Sequence, residues 1–204
     1  MNDNDKYDRN ETVNTIYKRH SMRMFTEQAV NDDDIFTILN AANQAPSAHN
    51  QQSWKFIVIR SERKTELVNM IVDNSSKFSR PASALLRMAA RSISSAPLVI
   101  AVMNTGELIR RGPELFEVDK ESARDFFRIM EIQSSAAAVE NMLIAATSIG
   151  LSSVWLGILI MIQKEVLNFL GKADGEFMAV VPVGYAAKTS SGPKKRPLDI
   201  VALT

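Results

Sequence analysis

Hydrophobic and polar positions along the chain alternate between a helical and a strand period. Val13, Ile16 and Tyr17 fall at i, i+3 and i+4 and predict a helix over 11–20. The polar stretch before it, residues 1–10, reads as a flexible N-terminus. Asn31, Asp32, Asp33 and Asp34 lead into Ile35, Ile38, Leu39 and Ala42, a helix start followed by its apolar stripe, so a helix is predicted over 32–43. Pro46, Ser47, Asn50 and Ser53 make the next segment a loop. Residues 55–60, Lys-Phe-Ile-Val-Ile-Arg, are β-branched and aromatic and predict a strand. Helices are predicted over 62–73 and 82–90, ended by the break Ser94-Ser95-Ala96-Pro97.

Residues 98–103, Leu-Val-Ile-Ala-Val-Met, form a short continuous apolar run, the pattern of a central strand buried on both faces. Residues 104–120 show little periodicity and contain Gly106, Gly112 and Pro113, so 104–123 reads as an excursion from the core. A long helix is predicted over 124–149. Its middle, Ser134 to Ala138, is made of small residues, and Gly150 is suited to end it. A short helix over 164–170 precedes a strand over 176–185. Pro182 in that strand cannot donate to a ladder, which predicts an edge or a bulge there. The tail, 190–204, passes from Ser, Gly and Pro through Lys194, Lys195 and Arg196 to an apolar end at 198–203. An apolar run after a polar linker needs something to dock on.

Composition narrows the function. At 204 residues the chain suits a single domain, here 11–204. A formal charge of +1 gives no global argument for nucleic acid or an anionic membrane. The absence of cysteine excludes disulfides and thiolate chemistry, and two histidines make a His-rich metal site an unpromising reading. The first residues hold no apolar stretch of signal-peptide type, and no run is long enough to span a bilayer, so the expected location is the cytoplasm.

Candidate chemistry starts at Arg19-His20-Ser21-Met22-Arg23-Met24-Phe25. Two guanidinium forks and a hydroxyl can meet phosphate or carboxylate oxygens. Taken alone, the heptapeptide reads more readily as a solvated basic turn at a helix C-terminus, where cations are favoured. No G-x-G-x-x-G fingerprint appears, so a Rossmann nucleotide site is not expected.

Four stretches in order carry a family resemblance: Arg19 to Phe25; Ala45-Pro46-Ser47-Ala48-His49-Asn50-Gln51-Gln52-Ser53-Trp54; Gly150-Leu151-Ser152-Ser153-Val154-Trp155-Leu156-Gly157; and Val181-Pro182-Val183-Gly184-Tyr185 followed by Lys194-Lys195-Arg196-Pro197-Leu198. Together they resemble the nitroreductase family of FMN-dependent oxidoreductases. The resemblance implies an α+β fold, with a mostly antiparallel central sheet wrapped by helices. It also implies an intertwined homodimer with FMN at the interface, in which the C-terminal arm, 190–204, adds a strand to the partner. NADH or NADPH would be the reductant and a small molecule such as a nitroaromatic or quinone the oxidant, in a ping-pong cycle. A specialised flavin reductase or ene-reductase and a non-catalytic FMN-binding dimer are the alternatives.

By the same resemblance, Arg19 and Ser21 hold the phosphate and ribityl side of FMN, joined by Lys194 and Arg196. Arg23 stands near the pyrimidine edge, where a cation favours the reduced, negatively charged flavin. Pro46, Ser47 and Asn50 belong to a flavin-binding loop, in which Ser53 replaces the family's usual proline before Trp54. Leu156 and Gly157 offer backbone N–H groups to the ring, and His20 is a contact through its backbone. Phe116, Phe126 and Phe127 are candidate pocket-lining residues, with core packing as the competing reading. No side chain is needed as nucleophile, general base or metal ligand.

Overall fold

The computed structural model describes residues 10–117, 119–172, 174–188 and 190–197. Most of the flexible N-terminus expected over 1–10 and the apolar tail end at 198–203 lie outside these residues.

The core is built on β2 (Leu98–Asn104), every residue of which is buried. Its odd and even positions serve two separate cores. Val99, Ala101 and Met103 pack with Leu67 and Ile71 of α3 (Ser61–Ser75), Leu86 and Ile93 of α4 (Arg80–Ser95) and Val166 of α7 (Gln163–Phe169). Leu98, Ile100 and Val102 pack with Ile35 and Ile38 of α2 (Asp32–Asn43) and Val139, Met142 and Ala146 of α6 (Lys120–Ser148). A period-2 chain covered on both faces has no polar side to spare, which is why this run is continuously apolar.

The strands run in the order β1-β2-β4-β3, with β1 at Trp54–Arg60, β3 at Ser152–Ser153 and β4 at Glu176–Gly184. All three ladders are antiparallel. Helices cover both faces, giving an α+β fold. α1 (Glu11–Lys18) begins at Asn10, whose side chain accepts from Val13 N–H at 3.0 Å. α2 begins at Asn31, which caps Asp34 N–H at 2.7 Å. Both are the polar starts that N-capping favours.

Three expectations need correction. Pro182 marks neither an edge nor a bulge. β4 lies inside the sheet, and the register shift falls opposite Val102 and Met103. Proline is tolerated because its carbonyl faces Val154 N–H at 3.4 Å, on the side where β3 has already ended. The missing donor therefore costs the β2 ladder nothing. The excursion is not structureless: it contains α5 (Glu107–Leu115), nine residues with Pro113 inside. α4 runs through Ser94 and Ser95 and stops only before Pro97.

Gly184 closes β4 against the α4–β2 corner. A Cβ there would sit 2.5 Å from Pro97 Cδ and 3.3 Å from Phe25 Cδ1. Gly184→Ala should lower stability by about 1–3 kcal/mol, as overpacking does. In a chain of this size that is roughly 2–4 °C in Tm per kcal/mol, read by thermal or urea unfolding.

Candidate functional site

α1 stops at Lys18, and Arg19 turns into an extended conformation. The chain is then stitched to the far side of β3. Met22 N–H donates to Ser153 O at 3.0 Å, Thr26 N–H to Tyr185 O at 2.8 Å, and Ala187 N–H to Met24 O at 3.0 Å. Met22 and Phe25 point into the core, whereas Ser21 and Arg23 are exposed. An extended backbone with a buried residue between them sends Ser21 and Arg23 to the same side. Arg19 is half-buried and approaches Glu140 of α6 at 3.6 Å, an ion pair of small worth at such exposure. His20 Nδ1 lies 2.9 Å from Lys18 O, and its Nε2 is buried without a partner among the described residues.

Arg23 meets the end of the third motif in a cleft of about 200 Å³, together with Trp155, Leu156, Gly157 and Ile158. The opposite wall is one side of α4, formed by Leu85, Met88, Ala89 and Ser92. Leu156 N–H donates to Val180 O at 2.9 Å, so that donor belongs to the sheet and not to the cleft. Gly157 opens the 3-10 turn Gly157–Ile162, where the first N–H has no partner inside the turn. Nothing in the fold demands glycine at 157, since an added Cβ would meet only Trp155, at an ordinary 3.5 Å. Glycine there leaves the backbone open to close approach by a ligand. One cation, one backbone donor and an apolar wall suit a flat ring that carries acceptor atoms and gains negative charge.

The other sequence candidates fall in two places. The tail turns at Gly192, with φ of 70°, where an added Cβ would lie 2.8 Å from His20 Cβ, so the tail touches the first motif at that point. Lys194 and Arg196 follow on this tail and are exposed. Pro46, Ser47 and Asn50 are not among the residues that line the cleft. Their loop is held on α6, with Ala48 N–H donating to Ser134 Oγ at 3.0 Å. Trp54 is anchored beside it by Asn43 Oδ1 at 3.0 Å and packs on Ala45 and Ala138. Within this loop His49, Asn50 and Gln52 have φ of 51°, 54° and 50°. Left-handed conformations in three non-glycine residues so close together store strain. Of the aromatic candidates, Phe127 is core, while Phe116 and Phe126 are exposed. Phe116 meets His49 in a tilted ring contact with centroids 4.5 Å apart.

Sequence reading missed the α4 wall and Glu131. The wall had a signal: Leu85, Met88 and Ser92 recur at helical spacing beside the core stripe of Leu86, Ala90 and Ile93. Glu131 had none, because an acidic residue in a long helix is ordinarily solvated. Here it is buried, and its carboxylate accepts from Leu108 N–H at 2.7 Å and Gly106 N–H at 3.1 Å.

A nitroreductase family model matches residues 16–185, most of the chain. The chain belongs to the nitroreductase family. Among its curated relatives, a protein of Archaeoglobus fulgidus named "Putative NADH dehydrogenase/NAD(P)H nitroreductase" is 29% identical over 148 residues, which cover 72% of this chain and 68% of that one. Among solved structures, a BluB-like flavoprotein from Clostridium difficile 630 aligns with a TM-score of 0.72 at 26% identity, covering 93% of this chain and 98% of that one. A nitroreductase with bound FMN from Desulfitobacterium hafniense DCB-2 shares the fold at a TM-score of 0.72 and 20% identity, over 95% of this chain and all of that one.

Burial raises the Glu131 pKa above the ordinary 4.5, and the N–H donors of Leu108 and Gly106 offset this only in part. Ser53 Oγ also lies near enough to favour the charged form, without a hydrogen bond of good geometry. The folded chain therefore holds this proton more tightly than the unfolded one. The resulting stability is fully present below the unfolded value and is lost as pH rises through the folded one. Thermal unfolding from pH 4.5 upward should show the stability of the wild type, measured relative to Glu131→Gln, falling as pH increases.

Proposed function

We propose that this nitroreductase family member is an FMN-dependent oxidoreductase that passes electrons from NADH or NADPH to a small oxidant such as a nitroaromatic or quinone. The observation that carries the reading is the cleft: Arg23 from the first motif and Gly157 from the third stand on one apolar-walled site although they lie far apart in the chain. When bound, FMN supplies the two-electron chemistry, and the protein supplies position and charge. Arg23 would face the ring where reduction adds negative charge, and Gly157 would offer its N–H. Leu85, Met88 and Trp155 would press on the apolar ring face. Arg19 and Ser21, with Lys194 and Arg196 of the tail, would take the phosphate through charge-assisted bonds.

The cleft is smaller than the ~300–1,000 Å³ that encloses a ligand of this class. We therefore read it as half a site, completed by a second copy in a homodimer. The 46–50 loop of one copy, held on α6, would approach the flavin of the other. Two features support the dimer. Ile16, Tyr17, Phe36, Phe126 and Ile129 are large apolar side chains left exposed on α1, α2 and α6. β1 is an outer strand, and among the described residues no strand pairs its far edge, where the partner's C-terminal arm could add one. No helix among the described residues is long and apolar enough to cross a membrane.

Purified chain should be yellow, carry about one FMN per subunit, and lose its colour anaerobically when NADH or NADPH is added. A colourless protein that takes up no FMN would refute the reading. Bound FMN that neither nucleotide bleaches would leave a flavin-binding dimer without turnover. Gly157→Ala should keep its melting temperature yet weaken FMN binding at least about tenfold, a misfit of roughly 1.4 kcal/mol or more. Arg23→Ala should lower the two-electron potential of bound FMN by on the order of 30 mV, equivalent to about 1.4 kcal/mol, as measured by dye equilibration.

A further inference from the structure

Among the described residues that line the cleft, Arg23 is the one cation, so whatever fixes its backbone fixes its reach. The residues beside it are stitched to their neighbours: Met22 N–H donates to Ser153 O at 3.0 Å, and Met24 O accepts from Ala187 N–H at 3.0 Å. The carbonyl of Arg23 has a different neighbour, the last turn of α4. Ser95 Oγ lies 3.4 Å from Arg23 O and 3.1 Å from Ser92 O. A hydroxyl has one proton to give, and here it stands between two acceptors, one on each wall of the cleft. Ser92 itself lines the cleft, and its hydroxyl donates at 3.2 Å to the carbonyl of Met88, another lining residue. The two walls, far apart in the chain, are joined at Ser95.

Ser95 can hold Arg23 only if the end of α4 is itself held. A helix end leaves its last carbonyls without donors. Pro97 has no N–H to offer them, and Ala96 is extended, so no left-handed cap forms. The donor comes from α3. Lys64 Nζ donates to Ser94 O at 3.2 Å and also to Ala96 O, the carbonyls on either side of Ser95. The negative end of the helix favours that ammonium. Burial lowers the Lys64 pKa from its ordinary value, as expected of a cation drawn partly out of water. Ala96 is fully buried, and Pro97 fills the space that a side chain at 184 would need.

We propose that Ser95 is a positioning residue for Arg23. Anchored by Lys64 through the carbonyls on both sides of it, its hydroxyl sets how far the Arg23 guanidinium reaches into the cleft, and so how strongly the site favours a reduced, negatively charged flavin. The placement stands on the hydrogen bonds, and its effect on the flavin rests on the function proposed above. A hydroxyl that only finished a helix turn would need Ser92 O alone. Ser95→Ala keeps the guanidinium but frees its backbone, so the cation spreads over more positions and attracts the added charge less. Ser95→Thr keeps the hydroxyl.

Dye equilibration of FMN-loaded chain tests this. In Ser95→Ala the equilibrium constant for two-electron reduction of bound FMN should fall about threefold, the scale of one neutral hydrogen bond. That compares with the roughly tenfold fall expected of Arg23→Ala. Ser95→Thr should restore the constant. In a chain that already carries Arg23→Ala, adding Ser95→Ala should change nothing, because no cation is left to place. Lys64→Met should lower the constant in the same direction, and if it does not fold, the Ser95 variants decide alone. An unmoved constant in Ser95→Ala, a fall that persists in the Arg23→Ala chain, or a failure of Ser95→Thr to restore it each overturns the assignment. An unmoved constant in folded Lys64→Met overturns the anchor. A wild type that takes up no FMN overturns the flavin reading and the effect on it together, whereas a yellow chain with an unmoved constant overturns the assignment to Ser95 alone.

Discussion

The structure depends on a strand that is buried on both of its faces. β2 gives Val99, Ala101 and Met103 to one core and Leu98, Ile100 and Val102 to the other. β4, which pairs with it, is split in the same way, with Val180 on one side and Val181 and Val183 on the other. No polar group can emerge from the middle of such a sheet without an unmet desolvation cost. Polar chemistry is forced to the sheet's short side and to its ends. The short side is β3, only two residues long, and there the 21–25 segment, the Gly157 turn and the cleft assemble. At one end, the close of β2, lie Asn104, Thr105 and Glu131.

This division explains what could be read from the sequence. The apolar run of β2, the stripes of α2 and the stop at Gly150 follow from local period and turn chemistry, and the elements fall where they were expected. The cleft was legible only as a set of motifs, because the closeness of Arg23 to Gly157 is a property of the pairing of the 21–25 segment with β3 and not of either segment alone. α5 was illegible for a related reason. Gly106, Gly112 and Pro113 speak against a helix locally, and what stabilises it is a carboxylate donated from α6 together with a ring that fits the space left by Gly112. Pro182 misled because its cost depends on which side its missing donor faces. The 46–50 loop was recognised by its residues, but its place on α6, away from the cleft, comes from tertiary bonds such as Ala48 to Ser134.

The two ends of α6 do different work in this arrangement. Near its start Phe127 and Glu131 organise α5. Further on, Ser134 and Ala138 carry the 46–54 segment, and Glu140 stands beside Arg19. The small side chains at its middle let the sheet and the loop approach the same helix. One rigid rod thus fixes the spacing among α5, the strained loop and the basic turn.

The outer edge of β1 has a consequence for the lone chain. Seven residues, Trp54–Arg60, form an outer strand with an unfinished row of backbone donors and acceptors among the described residues. Freshly made subunits at high concentration could zip together along it into oligomers that never close, the usual hazard of an open ladder. Lys55, exposed near one end of the strand, sets a charge against such pairing, whereas the Arg60 guanidinium at the other end is already paired with Asp32 at 2.6 Å.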